Sequence, residues 1–165
     1  MMDKTQKKPF ERRRRSARKT RRQEPKEFEQ KIVDLARVTR VTAGGKRMSF
    51  RAALVIGDKK GRVGFGVAKG ADVQLAVDKA YAQAKKHVVR VPMIYATIPH
   101  PVAVKFGSAR ILLKPAPRGT GLKAGGAVRI ILEYAGVPNA VSRIINSSNK
   151  LNIAKATLKA ITPAG

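Results

Sequence analysis

The sequence predicts an α+β protein in which two folded domains follow a basic N-terminal arm. Three strand-like segments separated by turns occupy residues 28–68. Apolar residues then recur at helical spacing over 73–88, and a further set of strands and helices reaches residue 162. We therefore expect an arm at 1–27, an N-terminal domain at 28–93 and a C-terminal domain at 94–165.

The arm has almost no apolar side chains, so it cannot bury enough surface to offset the entropy of ordering. Arginine dominates its charge, which favours a disordered nucleic-acid-binding arm over a tail that only keeps the protein in solution. The candidate RNA-binding residues of the arm are Arg12, Arg13, Arg14 and Arg15.

In the N-terminal domain, β-branched and alternating residues predict strands at 28–41 and 62–68, and a segment that is apolar throughout 52–56 predicts a strand at 47–57. Turns are expected at 43–46 and 58–61. Asp72 is the expected N-cap of a helix that continues until Pro92 disfavours helical backbone before it. These elements predict a three-stranded antiparallel sheet with one helix.

The C-terminal domain begins near a junction at 92–96. Its expected strands are 94–98, 102–106, 109–113 and 139–145, and a glycine- and proline-rich loop lies at 115–126. A helix is expected at 127–134, ending at Gly136, and Asn149 is the expected N-cap of the last helix.

The chain carries 36 Lys and Arg against 10 Asp and Glu, a formal net charge of +26. The charge is spread over the whole chain: residues 1–27, 28–90 and 91–165 hold 12, 14 and 10 basic residues against 4, 5 and 1 acidic ones. Such a chain repels itself unless a polyanion neutralises it. An anionic membrane is the weaker alternative, because no apolar segment approaches the ~20 residues of a spanning helix.

Several classes of function are poorly supported. Cysteine is absent, which excludes disulfides and thiolate sites, fits a reducing compartment, and leaves two histidines as metal ligands. His87 and His100 have no neighbouring acid or nucleophile, and Glu133 is the single carboxylate after Asp78. We expect no catalytic residues, no metal and no cofactor. The N-terminus lacks an apolar signal segment, so export is not expected.

The loop at 39–47 is the first candidate for phosphate contact. Its glycines allow the backbone to approach a phosphate, its cations supply charge and its threonines supply hydroxyl donors. An ordinary hairpin turn with solvated charges is the alternative. The candidate RNA-binding residues of this domain are Arg37, Thr39, Arg40, Thr42, Gly44, Gly45, Lys46, Arg47, Arg62, Lys69 and Lys86.

Two other glycine-rich segments resemble nucleotide loops without matching them. Gly64, Gly66 and Gly70 have a spacing one residue too long for a dinucleotide fingerprint, so we favour structural glycines in a twisted strand. The segment 119–126 lacks the Gly-Lys-Ser/Thr tripeptide of a P-loop. Contact with RNA phosphate or with a neighbouring protein is the better interpretation of that loop.

Charge spread over both domains, with few aromatic residues, favours phosphate contacts along folded RNA over base stacking. No DNA-binding motif is visible. An RNA chaperone outside the ribosome and an enzyme using the 119–126 loop remain as alternatives.

Several motifs together resemble the bacterial small-subunit ribosomal protein five family, in order and spacing over residues 28–162. They are RVTRVTAGGKRMSF at 37–50, GRVGFG at 61–66, HP at 100–101, GTG at 119–121, AGGA at 124–127 and AGV at 135–137.

The resemblance implies a domain similar to double-stranded-RNA-binding domains, followed by a two-layer α/β domain. It also implies a structural, non-enzymatic role in the cytoplasmic bacterial ribosome, where the protein binds small-subunit ribosomal RNA, stabilises head against body and contributes to accuracy near the messenger RNA entry region. The implied protein partners are ribosomal proteins four and eight, with no self-association and no membrane. Residues 39–47 would be the RNA-facing hairpin, and the residues facing protein four would be Gly119, Gly121 and Arg129.

Overall fold

The structure is a computed structural model that describes residues 27–162. The strands are β1 (Glu29–Thr42), β2 (Gly45–Gly57), β3 (Arg62–Gly70), β4 (Val88–Arg90), β5 (Val102–Phe106), β6 (Ala109–Pro115), β7 (Leu122–Lys123) and β8 (Ala140–Ile144). The helices are α1 (Val73–Lys86), α2 (Gly126–Ala135) and α3 (Lys150–Ile161). The predicted α+β class is confirmed.

The N-terminal sheet is antiparallel in the order β1-β2-β3-β4. The three predicted strands and the N-cap are confirmed, since the Asp72 carboxylate accepts a hydrogen bond from the N–H of Val73 at 2.7 Å. The predicted end of the helix is wrong, because α1 stops at Lys86 and residues 88–90 form β4. Val88 and Val89 favour extended backbone, and the free edge of β3 supplies their hydrogen-bonding partner.

The C-terminal sheet has the order β5-β6-β8-β7, with β7 parallel to β8. The predicted strand at 94–98 is wrong: Ile94 and Thr97 form only an isolated bridge across a tight turn in which Tyr95 and Ala96 have positive φ. The short β7 falls inside the expected loop at 115–126. Both α2 and α3 begin and end close to the predicted positions, with Gly136 in the left-handed region and Asn149 as N-cap.

The glycines of β3 are packing residues. A Cβ placed on Gly66 would lie 2.1 Å from the carbonyl oxygen of Ala80 and 2.7 Å from the backbone nitrogen of Ala84. Gly64 and Gly70 approach the backbone of α1 in the same way. The favoured interpretation of this segment is therefore confirmed, because α1 lies so close to β3 that only hydrogen fits between them.

The two sheets and three helices form four layers, and their buried side chains form two clusters on opposite faces of the N-terminal sheet. On one face of the N-terminal sheet, Leu54 and Ile56 pack against α1. On its other face, Val55, Val63 and Phe65 join the buried side chains of α2, α3 and the C-terminal sheet in one cluster. The layers therefore follow the order α1, first sheet, α2 with α3, second sheet.

A turn of the first sheet caps the end of α2. The N–H groups of Lys59 and Gly61 donate to the carbonyl oxygens of Tyr134 and Ala135 at 3.1 and 2.9 Å, which satisfies helix-terminal acceptors that would otherwise lack partners. Lys59 also pairs with Glu29 at 2.6 Å. This turn joins the N-terminal and C-terminal halves through backbone hydrogen bonds as well as through the core.

Candidate nucleic-acid interface

The β1–β2 hairpin extends past the rest of the sheet. Every residue from 39 to 48 is exposed, so neither face of this segment packs against the rest of residues 27–162. The turn contains Ala43 and Gly44, Thr42 pairs with Gly45, and the Thr42 hydroxyl donates to the Gly45 carbonyl at 3.0 Å. At about 3.3 Å per residue the four residues before the turn reach roughly 13 Å beyond the body.

Cations occupy both faces of this hairpin. Arg40 lies directly opposite Arg47 on one face, and Lys46, opposite Val41, lies on the other. Arg37 lies on the same face as Lys46, further down the strand. Like charges placed opposite each other destabilise a strand pair, so an anion between them is favoured.

We call Arg37, Arg40, Lys46 and Arg47 the hairpin cluster. None of its members forms an ion pair with a carboxylate of residues 27–162, whereas Arg51 and Lys150 at the base of the hairpin both pair with Asp34. The charge of the cluster is thus available to an external ligand.

The remaining sequence candidates are not all near the hairpin. Lys69 is opposite Arg51, close to the hairpin base. Arg62 and Lys86 lie at the other end of the sheet, because Val63 pairs with Gly57 and the end of α1 lies over Gly64. The part of β2 between Lys46 and Gly57 is roughly 36 Å long. The arm residues Arg12 to Arg15 lie outside the described part of the chain. The structure therefore groups the hairpin residues and Lys69, and separates Arg62 and Lys86 from them.

Arg62 and Lys86 each have a structural role where they lie. The Nε of Arg62 donates to Asp58 at 2.7 Å, and its guanidinium lies 5.3 Å from the centre of the Phe28 ring. Lys86 is in the last turn of α1, where a cation is stabilised by the helix dipole.

The Asp58 carboxylate organises the β2–β3 turn. It accepts hydrogen bonds from the backbone N–H groups of Lys60 and Arg62 and from the Arg62 side chain. Desolvation by burial alone would raise the pKa of Asp58, but these hydrogen bonds and the Arg62 charge together hold the pKa below its ordinary value of 3.8. At this end of the sheet Arg62 and Asp58 are therefore paired with each other, unlike the cations of the hairpin cluster.

The 119–121 loop is open, and at Gly121 it is held against the start of β8, where the Gly121 carbonyl accepts a hydrogen bond from the N–H of Ala140 at 3.3 Å. Gly119 and Gly121 have positive φ, and nothing lies within 4 Å of a Cβ added to either. The N–H of Gly121 donates to the side chain of Asn139 at 3.1 Å. Arg129 is exposed on the first helical turns of α2, which follow this loop.

Sequence reasoning missed the residue that holds this loop. Asn139 is 7% exposed, and its amide nitrogen donates to the carbonyl of Ala96 at 3.4 Å. The backbone carbonyl of Asn139 accepts a hydrogen bond from the Thr97 hydroxyl at 2.8 Å. An asparagine as the first residue of the predicted strand at 139–145, where this residue type is depleted, was the available signal.

Residues 27–162 contain no group of three His, Asp or Glu placed to hold a metal ion. None of the described helices is long and apolar enough to cross a membrane.

Comparison with known proteins assigns both halves of the chain to one family. Residues 28–92 match Ribosomal protein S5, N-terminal domain, and residues 104–163 match Ribosomal protein S5, C-terminal domain. The chain is 49% identical over 135 residues to the small ribosomal subunit protein uS5 of Hydrogenobaculum sp. (strain Y04AAS1), covering 82% of this chain and 71% of that protein.

Two further relatives carry the same name. The uS5 of Thermotoga neapolitana is 47% identical over 82% of this chain and 76% of its own length. The uS5c of Spinacia oleracea is 50% identical over 81% of this chain but 44% of its own length. Relatives of bacterial and of plant origin are thus about equally similar.

Proposed function

The chain belongs to the ribosomal protein S5 family, and from that premise we propose that its β1–β2 hairpin binds small-subunit ribosomal RNA. Members of this family are structural, non-enzymatic constituents of the small ribosomal subunit. The nucleotide-dependent enzyme and the RNA chaperone are therefore set aside. The proposal concerns which residues make the RNA contact.

The hairpin cluster carries the proposal. Four cations lie on a segment exposed on both faces, and none is paired with a carboxylate of the described chain. The turn glycines leave the backbone open, since nothing lies within 4 Å of a Cβ at Gly44 or Gly45. The hydroxyls of Thr39 and Thr42 flank the same turn. A hairpin of this shape can enter a groove of folded RNA and contact phosphates on both of its sides.

The test replaces three cluster cations together, as Arg40→Gln, Lys46→Gln and Arg47→Gln, and measures binding to a transcript of small-subunit ribosomal RNA over a range of salt concentrations. With roughly 6–10 phosphate contacts in total, the unmodified protein should lose about 10³–10⁵ in affinity between 50 and 200 mM salt. The variant should bind more weakly and with a shallower salt dependence.

The matched control replaces three exposed lysines elsewhere, as Lys60→Gln, Lys79→Gln and Lys159→Gln, none of which forms an ion pair within residues 27–162. It changes the net charge by the same amount. Equal losses in variant and control would show that general charge, rather than the hairpin, binds the RNA.

We extend the proposal to protein partners. The open loop bearing Gly119 and Gly121, with exposed Arg129 next to it, would face ribosomal protein four, and ribosomal protein eight would be a second neighbour. Cross-linking of assembled subunits through a photoreactive residue at position 129 should recover protein four. Recovery of a different protein would reject this assignment.

A finer role would follow from these contacts with RNA and protein four. The protein would stabilise the head of the small subunit against its body and support the accuracy of translation near the messenger RNA entry region. The protein would act as one copy per subunit, in the cytoplasm if the source is a bacterium, with the arm at 1–27 and domains at 28–93 and 94–165 as its working parts. If Arg129 touches protein four, Arg129→Ala should alter misreading of near-cognate codons without changing the stability of the isolated protein.

A further inference from the structure

The outer face of the C-terminal sheet is not covered by any other part of residues 27–162. In β6, Ala109, Ile111 and Leu113 are fully buried against α2 and α3, so the residues that alternate with them point away from the core. Both Arg110 and Lys114, which belong to this outward set, are exposed. Antiparallel sheets commonly leave one face in water, but this face has a specific composition.

Five cations project from this outer face. Register places Lys105 opposite Arg110, Arg143 opposite Leu112, and both Lys114 and Lys123 next to Val141. We call this set the outer basic face; its members are Lys105, Arg110, Lys114, Lys123 and Arg143. At about 4.8 Å between strands and 3.3 Å per residue, they cover an area of roughly 14 by 13 Å.

No carboxylate of the described residues neutralises the outer basic face. None of its five cations occurs in an ion pair within residues 27–162. Glu133, the single acid of the C-terminal half, belongs to α2, which packs on the opposite side of the sheet. Cations placed opposite one another, such as Lys105 and Arg110, repel unless an anion lies over them.

The chemistry of this surface favours phosphates over bases. The side chains between the cations are Ala103, Leu112 and Val141, and none of the outward positions of the four strands holds an aromatic residue. Phe106 is opposite Ala109 and thus belongs to the inner side. A surface without aromatic side chains cannot stack unpaired bases, whereas a row of Lys and Arg can follow a phosphate backbone.

We propose that the outer basic face is a second RNA-binding surface, which contacts the phosphate backbone of helical ribosomal RNA without reading its sequence. It is separate from the hairpin cluster, because it lies on the other sheet and beyond the α2–α3 layer. The proposal shares with the proposed function only its class of ligand. Two RNA contacts on opposite layers would let one protein hold two RNA segments.

The test variant carries Lys105→Gln, Arg110→Gln and Arg143→Gln in the full chain, and the probes are the small-subunit ribosomal RNA transcript and an RNA duplex of unrelated sequence. Each phosphate contact removed reduces the slope of log affinity against log salt by about 1. The slope should therefore fall by about 2–3, and affinity at 0.1 M salt should fall roughly 100-fold for both probes.

Three companion proteins make the result decisive. The scattered control is Lys60→Gln, Lys79→Gln, Lys159→Gln. Its change in the logarithm of the affinity should be less than a third of the change in the test variant. The conservative variant Lys105→Arg, Arg110→Lys, Arg143→Lys keeps the charge and should bind normally. The hairpin variant Arg40→Gln, Lys46→Gln, Arg47→Gln tests the proposed function separately. Thermal unfolding of each protein verifies its fold.

Each alternative outcome has a defined meaning. A face variant that binds both probes as well as the scattered control overturns the second surface, and a weakened hairpin variant in the same assay would leave the proposed function standing. A face variant that binds naked RNA normally but fails to enter small subunits also overturns it, since an acidic protein would then cover the face. If neither variant is weakened, both proposals fail.

Discussion

Gly44 and Gly45 in the hairpin turn have surroundings opposite to those of Gly64 and Gly66 in β3. Nothing lies within 4 Å of a Cβ added at either turn position, whereas a Cβ on Gly66 would meet the backbone of α1 at 2.1 Å. Both pairs belong to glycine-containing segments in which the backbone could approach a phosphate, to judge from the sequence alone. One pair leaves backbone open to a ligand, and the other brings a helix against a strand.

The charges at the two ends of the N-terminal sheet differ in the same way. At the β2–β3 turn, Arg62 is bound to Asp58 and that carboxylate accepts three hydrogen bonds. At the hairpin end, Arg40 lies opposite Arg47 without an acid. A cation in a basic protein is therefore a ligand contact only where the fold leaves it unpaired.

The largest effect is expected from Gly66→Ala. The added methyl group would force β3 away from α1, and overpacking of this kind should reduce the free energy of unfolding by about 3 kcal/mol. Urea denaturation of the variant and of the unmodified protein measures this difference in the free energy of unfolding. The matched substitution Gly44→Ala should change stability by less than about 0.5 kcal/mol. Equal stabilities of the two variants would contradict the close packing at β3.

Lys46→Glu should weaken RNA binding without unfolding the domain. The change removes one cation and adds one anion at the hairpin, so affinity for the ribosomal RNA transcript at 0.1 M salt should fall about 10- to 50-fold. Lys46→Arg is the control and should bind normally. A loss of thermal stability without a loss of affinity would make the loop purely structural.

Acid should reduce the stability that the Asp58 carboxylate contributes at the β2–β3 turn. Because the pKa of Asp58 is lowered in the folded state, its contribution to stability is complete above the unfolded value of 3.8 and is lost as pH falls through that value toward the folded pKa. Asp58→Asn should therefore be less stable than the unmodified protein at pH 7, and the difference should shrink at pH 3. Urea unfolding at both pH values tests this, and a constant difference would argue against the lowered pKa.

The smallest expected effect is an increase in thermal stability. Arg47→Gln removes the repulsion with Arg40, so the free protein should unfold at a temperature about 1 °C higher. With saturating RNA, the unmodified protein should unfold at a higher temperature than the variant. A less stable free variant would mean that Arg47 makes a stabilising contact within the fold.

Local signals predicted most of the elements correctly. Alternation located β1 and β3, and a continuous apolar run located β2. The caps Asp72 and Asn149 located the starts of two helices, because capping depends on residues adjacent in the chain. The predicted helix end and the predicted strand at 94–98 failed for a common reason. Whether a short segment becomes a strand depends on a hydrogen-bonding neighbour that sequence does not reveal.

The candidate site was predictable only in part. The hairpin cluster was found because its four basic residues lie within eleven positions of the sequence, on either side of a glycine turn. Arg62 and Lys86 were grouped with it on charge alone, although the fold places them at the far end of the sheet. The outer basic face was missed, since its five cations are dispersed over four strands and only register brings them together.

The glycine turn at the hairpin illustrates what each level determined. By itself the sequence determined the net charge of +26, the scarcity of acids and aromatics, and the turn at which two strands reverse, because these follow from composition and from neighbours in the chain. Tertiary structure decided which glycines contact a helix, which cations are paired and which sheet face stays open. Those properties depend on atoms far apart in sequence, and packing alone brings such atoms within a few ångströms of each other.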